Sequence, residues 1–331
     1  GSLRQALRDA SQPGAGPERR VTASIGISLF DHDAASTAED LLARADIAMY
    51  DAKEAGGDRV AVYDAAAPRH RGMRDRLEWT SRIERALDQD RFVLHAQPIL
   101  PLADRTERRF ELLLRMTSPD GDLIPPGTFL YVAERSDLAQ RIDRWVVQRA
   151  VAMLAEQQRA GDDVAFEVNL SARSVNDPAM LDFLTATIAG AAIDPSKLTF
   201  EITETAAIVN LARATAFSDR LRAVGCQFAL DDFGTGFSSF SYLKHLGFDF
   251  LKIDGEFVKD LVTNPTNRLI VRSIVDIARG LGRRTIAEYV GDEATVALLR
   301  RYGVDYAQGF HVGRPAPFTP LPQAAPPRSA R

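Results

Sequence analysis

Nine polar residues stand at or just past the ends of short apolar segments: Glu111, Asn169, Glu201, Asp231, Asp232, Lys252, Asp254, Glu288 and Gln308. A strand buried on both faces reads as an almost unbroken apolar run, so polar exceptions at its end mark a site. Six of the nine are carboxylates. Gathered at one mouth without a counter-charge, they would raise each other's pKa and destabilise the fold. Oxygen donors in that number, with no Cys/His cluster beside them, suit Mg²⁺ or Mn²⁺ rather than zinc. The adjacent pair Asp231-Asp232 can serve two ions, one of its carboxylates bridging. Two divalent ions a few ångströms apart are an apparatus for in-line phosphodiester hydrolysis. Any one acid at a strand end can equally cap a helix. That reading does not account for all of them together with Lys252 between two Asp-bearing segments and Asn169 on another.

The elements that must position these residues follow a regular rhythm from Ser81 onward. Apolar strands are expected at 92–99, 110–116, 164–170, 198–203, 227–231, 248–253, 285–290 and 307–312, with helical segments between them. Eight such strands predict an α/β fold, a (β/α)8 TIM-like barrel, whose active site lies where the strands' C-terminal ends meet. The first two strands, flanked by Pro98 and Pro101 with no helix between, are expected to pair as a hairpin. Residues 1–64 read as helix, strand, helix, strand, with Ser36 to Glu39 as a capping box opening the second helix and Gly56-Gly57 closing it. Two strands and two helices do not close a core by themselves, so this piece is incomplete. An Arg-rich linker spans 65–80 and turns helical at its end. From Pro315 the chain is rich in Pro and Ala without apolar period and reads as frayed, with 319–331 as a disordered tail.

The strings Phe110-Glu111-Leu112-Leu113-Leu114-Arg115, Val168-Asn169-Leu170-Ser171, Glu201-Ile202-Thr203-Glu204-Thr205, Asp231-Asp232-Phe233-Gly234-Thr235-Gly236, Leu251-Lys252-Ile253-Asp254 and Gln308-Gly309 closely resemble the EAL domain family, with all motifs in order across 81–318. The resemblance implies hydrolysis of cyclic di-GMP to linear 5'-pGpG with two Mg²⁺ or Mn²⁺ ions. It implies that Glu111, Asn169, Glu201 and Asp231 hold one metal and Asp231, Asp232 and Glu288 the other. Lys252, Glu288 and Asp232 would serve catalysis, with Lys252 beside the attacking water. Gln97, Leu114, Arg115, Asp254 and Gln308 would contact substrate, and Glu204 would anchor a mobile loop at 232–242. It further implies a homodimer through the barrel, with Phe237, Phe240 and Tyr242 as exposed aromatics. The signature tripeptide reads Glu111-Leu112-Leu113, a mild departure that keeps the acid. The family's usual Glu-Gly-Val-Glu reads Glu288-Tyr289-Val290-Gly291, which loses the second acid. Asp292 is a candidate substitute for it.

Residues 1–64 resemble the back half of a GGDEF domain through Ala23 to Ile27 and Ala45 to Lys53. Its signature would lie upstream of residue 1, so no cyclase chemistry is implied, and a longer tandem GGDEF–EAL parent is expected. A receptor that binds the dinucleotide without turning it over, or a dimerisation module, is the alternative reading.

Composition sets the outer limits. The 331 residues carry a net charge of −4, which argues against DNA or RNA as a general partner. No apolar run reaches the ~20 residues of a membrane span, and a single cysteine, Cys226, excludes an internal disulfide. Both fit a cytoplasmic protein. His95, His245 and His311 lack metal or triad spacing. Gly234-Thr235-Gly236 lacks the remaining elements of a nucleotide loop. Arg69, Arg71, Arg74 and Arg76 read as a solvated face, and Trp145 as core.

Overall fold

The computed structural model describes residues 23–29, 41, 45, 48, 49, 52, 59–63, 72–103, 107–234 and 240–319. The chain divides into two compact units, 1–82 and 83–331. In the first, strands β1 (Ile25–Ile27) and β2 (Val60–Val62) pair in parallel. Leu41, Ala45, Ala48, Met49 and Ala52 are helical, and Ala48 and Ala52 are fully buried. Gly26 faces this helix so closely that a Cβ there would lie 2.2 Å from the Met49 amide nitrogen. The expected helix at 3–10, the capping box, Gly56-Gly57, Arg69 and Arg71 lie outside the described residues.

Helix α1 (Gly72–Asp88) leads into the second unit. There, β3 (Phe92–Pro101) and β4 (Arg108–Thr117) form the expected hairpin, antiparallel from Phe92↔Met116 to Ile99↔Arg109. A short β5 (Leu123–Ile124) and helix α2 (Leu130–Ala133) lead to the long α3 (Leu138–Ala160), which stops at left-handed Gly161. The chain then alternates: β6 (Val164–Asn169), α4 (Ala172–Val175), α5 (Pro178–Ala189), β7 (Leu198–Thr203), α6 (Glu204–Val209), α7 (Leu211–Ala223) and β8 (Gln227–Phe233). It continues through β9 (Phe250–Ile253), α8 (Gly255–Val258), α9 (Pro265–Gly280), β10 (Arg284–Ala287), α10 (Glu293–Tyr302), β11 (Tyr306–Gln308) and β12 (Ala316–Pro317). Local sequence dictates many of these starts. Asn264 caps α9 by accepting from the Thr266 and Asn267 amides, with Pro265 pre-set at the first turn.

The ring β3-β4-β6-β7-β8-β9-β10-β11 closes because β11 pairs back onto β3. This is the expected α/β (β/α)8 TIM-like barrel with one revision: β3 runs antiparallel to both neighbours, so the ring is not wholly parallel. Interior positions alternate along each strand, and Ile99, Ala229, Phe250, Ile286 and Tyr306 form an apolar plug within it. Cys226, just before β8, is buried, and burial pushes its thiol up to about 12. Residues 316–318 are not frayed. Ala316 and Pro317 pair with Ala96 and His95, and the Phe318 ring meets those of Phe110 and Phe166 edge-on at 5.3 and 5.2 Å. Among the described residues, no helix is long and apolar enough to cross a membrane.

Candidate active site

At the C-terminal mouth of the barrel, Lys252 projects from β9 into a ring of carboxylates. Its Nζ lies 2.8 Å from Glu201, 2.9 Å from Glu288, 3.2 Å from Asp231 and 3.6 Å from Glu111. Burial works against the charge on Lys252, but Asp231, Glu111, Glu201 and Glu288 outweigh it and hold its pKa well above the ordinary value. Beside this ring Asn169 Nδ2 donates to Glu111 Oε1 at 2.5 Å, and Gln308 Nε2 to Glu111 Oε2 at 2.5 Å. Gln308 Nε2 also reaches Gln97 Oε1 at 3.2 Å, while Gln97 Nε2 donates to the Gly313 carbonyl.

Asp231 and Asp232 are neighbours in one strand and would ordinarily face opposite sides of it. An irregularity in the β8–β9 register between Leu230 and Phe233, with Asp232 at φ 54°, turns both toward the mouth. Carboxylate oxygens of Asp231, Asp232 and Glu288 consequently lie within 4.8 Å of one another. Buried Glu201 Oε1 has no hydrogen-bond partner, and Asp231 Oδ1 has only its ion pair with Lys252. Hard carboxylate oxygens converging on so small a volume are the donor set of a divalent cation such as Mg²⁺ or Mn²⁺, and the residues fit that group.

Two acids of the ion-free site hold their protons unusually tightly. Burial, then Asp231 and Asp254, push Asp232 from 3.8 to about 6. Burial, resisted by Lys252 and reinforced by Asp231 and Glu111, pushes Glu288 from 4.5 to about 8. The unfolded chain ionises both groups at lower pH. Their stabilising contribution is therefore complete below about 4 and is lost as pH rises through about 6 and then about 8. Urea melts in chelator are expected to show stability falling across that window, and saturating Mn²⁺ to flatten the fall. A chelated protein equally stable at both ends of the window contradicts this site chemistry.

A cleft of about 400 Å³ opens beside the ring, lined by Gln97, Glu111, Arg115, Glu288, Gln308 and Phe310 among others. Arg115 spends one Nη1 contact on the Leu114 carbonyl at 2.7 Å. Leu113, not Leu114, lines the cleft, since strand alternation buries the Leu114 side chain away from it. Asp254 accepts from the Glu256 amide at 2.6 Å and caps α8. Glu204 accepts from the Gly234 amide at 3.0 Å and from the Tyr242 hydroxyl at 2.8 Å, gripping both flanks of the segment that contains 235–239. Tyr242 is thus buried, contrary to expectation, and Phe237 lies outside the described residues. Phe240 stands exposed. Glu204→Ala should raise proteolytic cleavage near Gly234–Tyr242 several-fold, checked by limited trypsin and chymotrypsin digestion, because one charged hydrogen bond at each flank is lost.

Past β10 the chain turns through Tyr289 at φ 54°, a costly conformation for an aromatic residue. Its ring lies over Gly255, where a Cβ would come within 2.2 Å, and under Lys259 Nζ at 4.2 Å. Asp292 does not replace the missing acid. It is exposed and caps α10 through the Thr295 amide at 2.7 Å.

Sequence reasoning passed over a second polar layer beneath the ring, made by Arg109, Glu167, Thr199 and Gln227. Glu167 sits two residues before Asn169 and Arg109 two before Glu111. The strand period of two was the signal that could have found them.

Residues 80–315 match the family model of the EAL domain. The chain belongs to the EAL domain family. Residues 2–59 match that of the diguanylate cyclase GGDEF domain. The EAL domain of FimX from Pseudomonas aeruginosa, solved bound to c-di-GMP, is 32% identical, with a TM-score of 0.69 over 73% of this chain and 97% of that one. The PaMucR phosphodiesterase, solved in a c-di-GMP complex, is 34% identical, with a TM-score of 0.68 over 72% and 98%. The cyclic di-GMP phosphodiesterase PdeB of Shewanella oneidensis is 37% identical over 90% of this chain and 35% of its own length. This EAL chain spans about a third to a half of the curated relatives it matches.

Proposed function

We propose that the barrel hydrolyses cyclic di-GMP to linear 5'-pGpG. The observation that carries this reading is the ring of Glu111, Glu201, Asp231 and Glu288 around Lys252, beside a cleft that also holds Arg115. Glu111, Asn169, Glu201 and Asp231 would hold one Mg²⁺ or Mn²⁺, and Asp231, Asp232 and Glu288 a second. Bound there, the ions supply Lewis-acid charge and lower the pKa of the attacking water. The chain's own groups do the rest. Arg115 offers forked donors to a non-bridging phosphate oxygen, and Gln97 and Gln308 present amides at the cleft wall. Asp254 stands beside Asp232 for a substrate contact. Lys252 supplies a fixed positive charge where negative charge develops on the phosphoryl oxygens. Water adds its oxygen to phosphorus in line with the departing ribose oxygen. Asp232 or Glu288, in its ionised form, stands to accept the water's proton, and the leaving ribose oxygen takes up one from solvent. Incubation with cyclic di-GMP and Mn²⁺ or Mg²⁺, with products resolved by chromatography, should yield 5'-pGpG, and chelator should abolish it.

Gly291 favours a second reading, a weak enzyme or a receptor, because no carboxylate extends from that position into the cleft it lines. A Cβ at Gly291 meets nothing within 4 Å, so Gly291→Glu is sterically free. Tyr289→Gly combined with Gly291→Glu is expected to raise turnover several-fold, within the ~10–100-fold range of outer ligand effects. Tight binding with no product in either form establishes the receptor. Exposed Phe240, in the segment where the family resemblance places the contact, supports a homodimer through the barrel, which sedimentation at micromolar concentration tests.

A further inference from the structure

The interior of a barrel of this type is ordinarily packed with branched apolar side chains. Here a salt bridge lies directly under the carboxylate ring. Arg109 is 2% exposed and Glu167 0%, both on interior positions of β4 and β6. Arg109 Nη1 donates to Glu167 Oε1 at 2.8 Å and to Thr199 Oγ1 at 3.0 Å. Its Nη2 donates to Gln227 Oε1 at 3.0 Å and Glu107 Oε2 at 3.1 Å. The guanidinium also stacks 4.4 Å from the centre of the Phe250 ring. So many directed contacts leave the cation a single position.

Glu167 pairs in register with Thr199, two residues before Glu201 on the neighbouring strand, so on the interior face it lies one layer beneath Glu201. Glu201 Oε2 accepts from Lys252 Nζ at 2.8 Å, while Glu201 Oε1 and Glu167 Oε2 have no hydrogen-bond partner. Lys252 therefore holds the Glu201 carboxylate from above, and Glu167, itself held by Arg109, bounds the space beneath it. A buried ion pair is costly to desolvate, and apolar residues of similar size would serve stability as well or better. Its presence under this one ligand calls for a role beyond stability.

We infer that Arg109 and Glu167 are positioning residues that set the orientation of Glu201 and thereby the affinity of the mouth for a divalent cation. This inference rests on the reading of the ring as a divalent-ion site. Groups supporting a ligand in this way typically change metal affinity ~10–100-fold when removed.

Calorimetric titration of the chelator-treated protein with Mn²⁺, without substrate, tests it alongside thermal melts. Arg109→Met with Glu167→Leu removes both charges together and is expected to fold with a melting temperature equal to or above that of the native protein. Its Mn²⁺ affinity should nonetheless fall ~10–100-fold. Glu167→Gln keeps an acceptor for Arg109 and offers Glu201 an N–H donor, so it should retain affinity within a few-fold. Glu167→Asp keeps the charge for Arg109 but withdraws the carboxylate by one methylene. It should lose affinity while folding normally, and it carries the test if the double variant does not fold. Native-like Mn²⁺ affinity in a folded double variant, or in Glu167→Asp, overturns the inference and leaves the pair a packing device. Failure of the native protein to bind Mn²⁺ overturns the divalent-ion reading itself, and the inference with it.

Discussion

Asp231→Ala is expected to lower hydrolysis of cyclic di-GMP by at least ~10²-fold while leaving the barrel folded, the scale of losing a preorganised charge contact in a transition state. Asp231 is the one side chain common to both proposed ion sites. It stands 3.2 Å from Lys252 and within the same 4.8 Å group as Asp232 and Glu288. Removing it weakens both sites at once, whereas Glu111→Ala removes a ligand of one site and is expected to cost at least ~10²-fold by the same argument. Folding is spared because Asp231 lies at the mouth, its side chain 13% exposed, and its loss relieves repulsion on Asp232 and Glu288. Turnover measured by product chromatography, with circular dichroism melts on the same preparations, checks the pair. Near-native hydrolysis by folded Glu111→Ala would sink the assignment of the site.

Lys252→Met should be the most damaging single change to the ion-free protein. The ammonium is 1% exposed and holds four carboxylates within 2.8–3.6 Å. Deleting one partner of a buried ionic cluster leaves uncompensated charge, at a cost of about 3–5 kcal/mol. The loss is greatest above pH 8, where Glu288 is ionised even in the folded native protein, and shrinks at lower pH as protons take the place of the missing cation. Mn²⁺ should restore much of the stability but not turnover, because the fixed charge proposed to stand beside the phosphate is gone. Urea unfolding with chelator and with Mn²⁺, at two pH values, reads out both effects. A variant as stable as native in chelator above pH 8 rules out the counter-charge role.

The sequence by itself determined the strand-helix rhythm, the hairpin that opens the barrel and the polar residues at strand ends. These are local properties, fixed by the apolar run of each strand and by its first polar interruption. Lys252 could be recognised as one cation among acids from its place in the chain alone, whereas Glu204 as a loop anchor came only from the family resemblance.

Tertiary structure decided the rest. That Asp231 and Asp232 share a mouth depends on a register irregularity and a left-handed backbone, which no alternation pattern announces. That Tyr242 is buried depends on Glu204, 38 positions away, offering an acceptor for its hydroxyl. That residues 316–318 are held depends on an edge of β3 and two phenylalanines on other strands. The Arg109–Glu167 layer stayed hidden because each residue looks like a misplaced charge in its own strand. Only the parallel pairing of β4 with β6, far apart in the chain, sets the two 2.8 Å apart, where each neutralises the other. Periodicity assigns a side chain to a face, but the partner it meets there comes from a segment distant in the sequence.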